Sequence, residues 1–460
     1  MTALTSFSQL NLTPSMLANL DQLGYQQMTA IQAASLPVIL QGQDVIAQAK
    51  TGSGKTASFG IVLLEKLNPR FFGCQALVLC PTRELADQVA NELRRLARAK
   101  DNIKILTLCG GMPLGPQIGS LEHGAHVVVG TPGRIQEHLD KQTLQLKDLS
   151  TLVLDEADRM LDMGFLDPMR EIIKHTPSTR QTLLFSATYP LQIEKLAAEF
   201  LRTPQRITVE STHDQLQIQQ YFYEVNEQKR FEAVAQVLWH YRPESCVAFC
   251  TTKQDTQDLA RYLYDQGISA LALHGDLEQR DRDRVLTLFS QRSCCVLVAT
   301  DVAARGLDIE ELPLVINVEL TRDPEVHTHR IGRTGRAGAS GVAVSLVSPK
   351  EAHRAVAIEK NLGSELQWKA LSQLKIKDSS PLYPVMKSLC LAAGRKDKLR
   401  RGDILGALTG EAGLQGSQVG KITLFDNCAY VAVEQAVAHK ALQRLQNGKI
   451  KGRSIKVRFG

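Results

Sequence analysis

The feature that most constrains this chain is a rhythm. Between residues 40 and 210, apolar runs of four to six residues (DVIAQ, ALVLC, IKILTL, HVVVG, TLVLD, QTLLFS) alternate with segments of helical period. A strand with water on one face alternates apolar and polar side chains, whereas these runs are apolar throughout. They must therefore be covered on both faces, which is the condition of a parallel sheet between layers of helices. The rhythm restarts after the polar stretch STHDQLQIQQ with SCVAFC, ISALAL, SCCVLVAT, LVINV and GVAVSLVS. Two α/β domains in tandem follow, with the boundary near residues 209 to 216.

Residues 350 to 374 read as helical and SSPLYP as a linker with two prolines, so that a linker spans 375 to 386. From 387 to 460 a shorter pattern runs strand, helix, strand, strand, helix, strand: MKSLCLAA, GDILGALTGEAG, GKITLFD, CAYVAVE, AVAHKALQRLQ, GRSIKVRF. That order is the split βαβ arrangement of an RNA-recognition-motif fold.

Composition narrows the class. A chain of 460 residues that is 43% hydrophobic is too long for one core and ordinary for a globular protein. No apolar run is long enough to cross a bilayer, and MTALTSFSQL lacks the basic start and apolar stretch of a secretory signal, so a cytoplasmic location is expected. Nine cysteines at spacings that match no zinc or thioredoxin pattern imply neither disulfides nor a metal framework. The net charge of +6 is unevenly placed: residues 387 to 460 hold fourteen Lys and Arg against five Asp and Glu, or +9, leaving about −3 on the rest. A basic module on a nearly neutral body points to a polyanion bound through that module.

Chemistry enters with AKTGSGKT at 49 to 56, which follows a strand and opens a helix. Gly52 and Gly54 let backbone N–H groups face a phosphate chain, Lys55 neutralises it, and the Thr56 hydroxyl is placed to hold Mg²⁺. Ala49 stands where the strict phosphate-loop pattern has its first glycine. About a hundred residues on, LVLDEADRM ends a strand in Asp155 and Glu156. Coupled to the phosphate loop, these fit a metal-binding aspartate and a water-activating glutamate. HRIGRTGR at 329 to 336 supplies three arginines, of which Arg333 and Arg336 are spaced to face one phosphate group as arginine fingers.

With PTRELA (81 to 86), GG (110 and 111), TPGR (131 to 134), SAT (186 to 188), VAFC (247 to 250), LHGD (273 to 276) and ATDVAARGLD (299 to 308) in the same order, the chain resembles a DEAD-box ATP-dependent RNA helicase of superfamily 2 over about residues 7 to 345. The resemblance implies two tandem RecA-like parallel-sheet domains, 1–208 and 217–374, followed by a small α+β RRM-like domain, 387–460. It also implies ATP and Mg²⁺ as cofactors and an adenine-reading segment GYQQMTAIQ, with Gln32 on the base edge, Thr29 beside it and Phe7 stacking on the ring; Met28 replaces the proline usual before that threonine. Ala49, Thr51, Ser53 and the rest of the loop are then ATP contacts, and Asp308 is expected at the ribose. Asp158, Ser186 and Thr188 should link nucleotide state to domain closure. Pro81, Arg83, Gly111, Thr131, Gly133, Arg134, His274, Gly275 and Thr300 are expected along the RNA backbone. Such residues suit phosphate and sugar, so the core should bind RNA without sequence preference.

Specificity is then expected from the basic module. Its strand CAYVAVE has one aromatic, Tyr430, and KSLCLAA has none, so base stacking on the sheet is not expected. The positive charge gathers instead at Arg395, Lys396, Lys398, Arg400 and Arg401, and at Lys449, Lys451, Arg453, Lys456 and Arg458, which favours recognition of a structured RNA by shape and phosphate. A core joined to this module resembles one bacterial branch of the family, and that likeness implies a 23S ribosomal RNA hairpin as target, precursors of the large ribosomal subunit as partners, and action as a monomer. An ATP-gated RNA clamp and a DNA-directed superfamily 2 motor are the competing readings.

Overall fold

In the computed structural model, residues 5–49, 52–189, 191–209, 218–304, 312–335, 341–376, 378–411 and 413–460 are described. The chain divides into two compact units, Met1–Thr212 and His213–Gly460. The expected boundary lies, from 210 on, outside the described residues.

The first unit is built on seven strands: β1 (Val45–Gln48), β2 (Ala76–Leu79), β3 (Ile105–Leu108), β4 (Val127–Gly130), β5 (Thr151–Leu154), β6 (Gln181–Ser186) and β7 (Gln205–Thr208). All neighbours are parallel, in the order β3-β4-β2-β5-β6-β1-β7. The unbroken apolar runs have the predicted cause. Val45, Ala47, Val78, Val129, Val153 and Phe185 fill one helix-covered face, while Ile46, Leu77, Val128, Leu152 and Leu184 fill the other.

The second unit repeats the plan with β8 (Ile218–Glu224), β9 (Cys246–Cys250), β10 (Ala270–Leu273), β11 (Val296–Thr300), β12 (Leu314–Asn317), β13 (Gly341–Val347) and β14 (Trp368–Lys369). Its order, β10-β11-β9-β12-β13-β8-β14, is that of the first sheet strand for strand. Residues 350 to 374 are not one helix: a helix over Ala352–Leu362 stops at Gly363, in the left-handed region at φ +66°, and the chain then returns as β14 beside β8. Glycine at that position is a helix terminator, a signal that the helical reading of this stretch overran.

The linker is anchored rather than free. Leu382 is buried, pairs with Ile268 in a parallel bridge, and donates its N–H to Gly267 O at 3.0 Å. Beyond it, β15 (Met386–Leu391), β16 (Val419–Leu424), β17 (Ala429–Glu434) and β18 (Val457–Phe459) form an antiparallel sheet in the order β16-β17-β15-β18, backed by helices Arg401–Gly406 and Ala438–Asn447.

Candidate ATP and RNA sites

In an open parallel sheet the loops leaving the carboxyl ends of the strands share one edge, where ligands bind. The strand order of the first sheet sorts its predicted residues into two groups along that edge. Neighbours β1, β6 and β5 lead to the phosphate loop, Ser186–Thr188 and Asp155–Glu156; neighbours β2, β4 and β3 lead to Pro81–Arg83, Thr131–Arg134 and Gly110–Gly111. Residues far apart in the sequence are thus adjacent because their strands are.

Within the nucleotide group, Lys55 is buried and opens the helix Lys55–Lys66, with its ammonium donating to Ala49 O at 2.9 Å. Gly54 precedes that helix at φ +92°, and a Cβ there would lie 2.6 Å from Gln32 Nε2. The adenine-reading segment is tied to the same loop: Thr29 Oγ1 donates to Ser53 O at 2.8 Å and Gln32 Nε2 to Gly54 O at 3.2 Å. Gln32 Oε1 accepts from the Thr29 N–H at 2.9 Å, completing a capping box on helix Ala30–Leu40. The amide expected on the base edge therefore has both ends on protein, and its first visible role is to hold the phosphate loop. Phe7 is only 4% exposed, with its ring against Tyr25, so little of it is open to a purine. Thr51 lies outside the described residues.

Asp155 and Glu156 are both 3% exposed. Burial pushes the Asp155 carboxyl up to about 6 against the pull of Lys55, with Glu156 adding to the rise. Glu156 adopts the left-handed backbone, φ 51°, at the start of helix Ala157–Asp162, and its carboxylate lies 2.9 Å from the buried guanidinium of Arg159. A non-glycine residue held in this region marks a backbone over-determined by its surroundings. The sequence reading missed Arg159, although a basic residue three after Glu156 on a helix was the available signal. Asp158 accepts from the N–H and Oγ1 of Thr188 at 3.0 and 2.9 Å. Buried Ser186 pairs in register with Gln48, and Ala49 N–H donates to Ser186 O at 3.1 Å, so the serine abuts the strand that feeds the phosphate loop.

In the other group, Arg83 opens a helix capped by Thr82 and lies against Gly111, which is left-handed at φ +74°; a Cβ there would collide with the guanidinium. Arg134 donates to Met112 O at 3.0 Å and to Gln117 Oε1 at 2.8 Å, while Gln117 also meets His138, a bridge the sequence gave no sign of. Thr131 caps helix Pro132–Asp140 without a side-chain bond, leaving its hydroxyl uncommitted to the cap, and Gly133 is exposed.

In the second unit, β10 leads to His274 and Gly275 and neighbouring β11 to Thr300. His274 is buried, with Nε2 2.8 Å from Gln257 Nε2, and Gly275 is exposed. Arg333 is 8% exposed; Asp308 and Arg336 lie outside the described residues. The first arginine of HRIGRTGR, Arg330, is buried and forms a bidentate ion pair with Asp301 at 2.6 and 2.7 Å. It also donates to Asn317 Oδ1 and Glu319 O, pinning the HRIGRTGR segment to the ATDVAARGLD segment.

The ten predicted basic residues of the C-terminal domain are all exposed. Lys398, Lys451, Arg453 and Lys456, with Asp397, line a cavity of about 320 Å³. Lys398 and Lys451 both have left-handed backbones, at φ 58° and 54°, and Lys451 Nζ donates to Lys398 O at 3.2 Å. Two tight turns thus bring the two basic clusters together.

Two parallel sheets with a phosphate loop and an Asp-Glu pair on one edge, joined to a basic RNA-recognition fold, define a nucleotide-driven enzyme acting on nucleic acid. The DEAD/DEAH box helicase family matches residues 29–196, the helicase conserved C-terminal domain 229–338, and the DbpA RNA binding domain 388–459. The chain belongs to the DEAD-box ATP-dependent RNA helicases. It is 55% identical over 459 residues to the ATP-dependent RNA helicase DbpA of Escherichia coli K12, covering 99% of this chain and 100% of that one. It is 45% identical to the DEAD-box ATP-dependent RNA helicase CshA of Geobacillus kaustophilus, over 76% of this chain and 74% of that one. Among solved structures it is similar to S. cerevisiae Dbp5 bound to RNA and ADP BeF3, with a TM-score of 0.72 and 31% identity over 80% of this chain and 96% of that one.

Proposed function

We propose that the chain remodels short structured RNA during assembly of the large ribosomal subunit, with its C-terminal domain directing it to a hairpin of 23S ribosomal RNA. The observation that carries the enzymatic part is the gathering of Lys55, Asp155 and Glu156 with the pair Asp158 and Thr188 at the carboxyl edge of three adjacent strands. Lys55 leaves Ala49 O for the phosphates, backbone N–H groups from Gly52 to Thr56 cradle them, and Glu156 takes a proton from the attacking water. Arg333 and Arg336 balance the charge that develops as the γ-phosphate departs. Thr29 and Gln32 read adenine, Phe7 and Asp308 complete the nucleoside contacts, and Thr51 and Ser53 lie along the phosphates.

The donor set fits Mg²⁺. No cluster of three metal-ligating side chains occurs among the described residues, and Mg²⁺ commonly takes one or two protein ligands alongside nucleotide phosphates and water. Thr56 and the buried, proton-prone Asp155 are those ligands; the ion supplies charge neutralisation across the phosphates.

Asp158 carries the nucleotide state to Thr188, with Ser186 beside them. Pro81, Arg83, Gly111, Thr131, Gly133, Arg134, His274, Gly275 and Thr300 grip the backbone of any RNA, and the exposed basic residues lining or flanking the C-terminal cavity select the target. The relative named DbpA matches along the whole chain, C-terminal domain included, which supports this division of labour. No helix among the described residues is long and apolar enough to cross a membrane, in keeping with the proposal that the chain works in the cytoplasm, as a monomer.

The test is phosphate release by the purified chain without RNA, with 23S ribosomal RNA, and with an unrelated RNA of equal length. Strong stimulation, at lower concentration for the ribosomal RNA, is expected. Equal rates in all three sink the reading. Stimulation by matched DNA as strong as by RNA would favour a DNA motor.

A further inference from the structure

The antiparallel sheet has two faces, and strand periodicity divides its side chains between them. Leu389 and Leu391 of β15 and Ala429, Val431 and Val433 of β17 pack into the domain's own helix-backed core. Ser388, Cys390 and Tyr430 point the other way, onto the face that an RNA-recognition fold ordinarily turns to bases. Here that face is covered by the chain itself. Leu288, on helix Gln279–Ser290 of the parallel-sheet domain, is 5% exposed and packs against Cys390 and Tyr430. Tyr430, the lone aromatic of its strand, is 7% exposed and has no free ring face for a base.

At the centre of this contact stands Gln291, the residue that ends the helix, 2% exposed. Its Nε2 faces three acceptors of the C-terminal domain: Lys421 O at 3.1 Å, Thr423 Oγ1 at 3.3 Å and Tyr430 O at 3.2 Å. Its Oε1 accepts from Ser388 Oγ at 2.5 Å. Around it, Ser293 and Ser388 hydroxyls meet at 2.7 Å, Met386 N–H donates to Arg292 O, and Gly460 leaves room for Leu288, since a Cβ there would lie 2.8 Å from it. One amide therefore reaches β16, β17 and β15 together. A polar group so buried, with its hydrogen bonds made only in one arrangement, specifies that arrangement over a sliding apolar contact.

We propose that Gln291 is a positioning residue: by seating the open sheet face on helix Gln279–Ser290, it fixes the basic edge of the C-terminal domain relative to the second parallel sheet, so that RNA captured at that edge is presented to the helicase core in one orientation. The inference rests on the reading that the basic edge captures ribosomal RNA. Released from its seat, the domain would still bind RNA, but the core would meet that RNA as a loosely tethered ligand at a lower effective concentration.

The test compares the full chain with Gln291→Leu and, should that variant fold poorly, with Ser388→Ala. Pulsed electron resonance between spin-labelled non-natural residues at the exposed positions 258 and 440 reads the seating. A narrow distance distribution in the wild type and a broad one in the variant are expected. Binding of 23S ribosomal RNA without nucleotide should be unchanged, as should turnover at saturating short single-stranded RNA, which needs no capture. Turnover at saturating 23S ribosomal RNA should fall about tenfold, in proportion to the lost effective concentration. A variant that stays narrow, or is released yet stimulated by ribosomal RNA as before, overturns the inference alone. Uniform loss with every RNA assigns Gln291 a merely structural part and overturns it too. A wild type that binds ribosomal RNA no better than unrelated RNA overturns the capture reading beneath it, and the inference with it.

Discussion

The two parallel sheets share a strand order and differ in what stands at equivalent points. Lys55 opens the helix after β1; Arg230 opens the helix after β8, its counterpart. Lys55 rests on the single carbonyl of Ala49, a contact a phosphate can replace. Arg230 is locked: its guanidinium donates to Val318 O at 2.6 Å and to Glu351 at 2.7 Å, and Glu351 in turn accepts from Ser348 and from Leu320 N–H. Where the first sheet keeps a cation available, the second has closed the same position with a buried ion pair. One scaffold thus serves as catalyst and as frame, and the difference lies in how completely the cation is satisfied by protein.

The largest expected effect tests the catalytic side. Glu156→Gln should lower RNA-stimulated turnover by about a hundredfold or more while RNA binding with ATP survives, since general-base assistance is worth about 10²–10⁴ in rate; steady-state phosphate release and an RNA gel shift measure both. On the frame side, Arg230→Met should leave ATP affinity intact and destabilise the second unit by about 3–5 kcal/mol, because the remaining Glu351 is a buried charge without its partner. Urea unfolding reads that loss, and adding Glu351→Leu should restore much of it. An effect of Arg230→Met on ATP affinity with no loss of stability would break the comparison.

A smaller effect probes communication in the first sheet. Thr188→Ala removes one of the two bonds to Asp158 and should cost about 1–3 kcal/mol, a hydrogen bond to a charged group. It should lower the ratio of RNA-stimulated to basal turnover more than basal turnover itself. The smallest sharpens the frame by pH. Burial alone would raise the Glu351 carboxyl, but its bonds to Arg230 and Ser348 outweigh burial and hold it below the ordinary 4.5. A depressed acid adds stability above its unfolded value and loses it as pH falls through the folded one. The second unit should therefore weaken to acid below about 4.5, a component absent from the double variant Arg230→Met with Glu351→Leu.

Much of the site was legible because it is local. A glycine-rich turn between strand and helix needs only AKTGSGKT, and the bond from Asp158 toward the SAT segment was expected by resemblance and is present at Thr188. What escaped was long-range or already satisfied. Gln32 was assigned to the base, yet its amide bonds the phosphate loop 22 residues away. Phe7 was assigned to stacking, yet apolar packing had claimed its ring. Arg330, read only as one of three arginines in a row, pairs with Asp301 across 29 positions. Gln291 carried no signal, because a lone glutamine at a helix end is ordinary until the surface opposite it is known.

By itself the sequence determined the sheets, since apolar runs without alternation can be buried only between helices. It also determined the phosphate loop, the placement of positive charge, and the absence of a base-stacking surface on the last domain. Tertiary structure alone decided that the nucleotide and RNA loops segregate along one edge, because that depends on strand order and not chain order. It decided as well that the sheet face bare of the domain's own helices is a docking face. Strand order and docking are set by which buried surfaces fit together, and hydrophobic complementarity between distant segments leaves no local pattern to read.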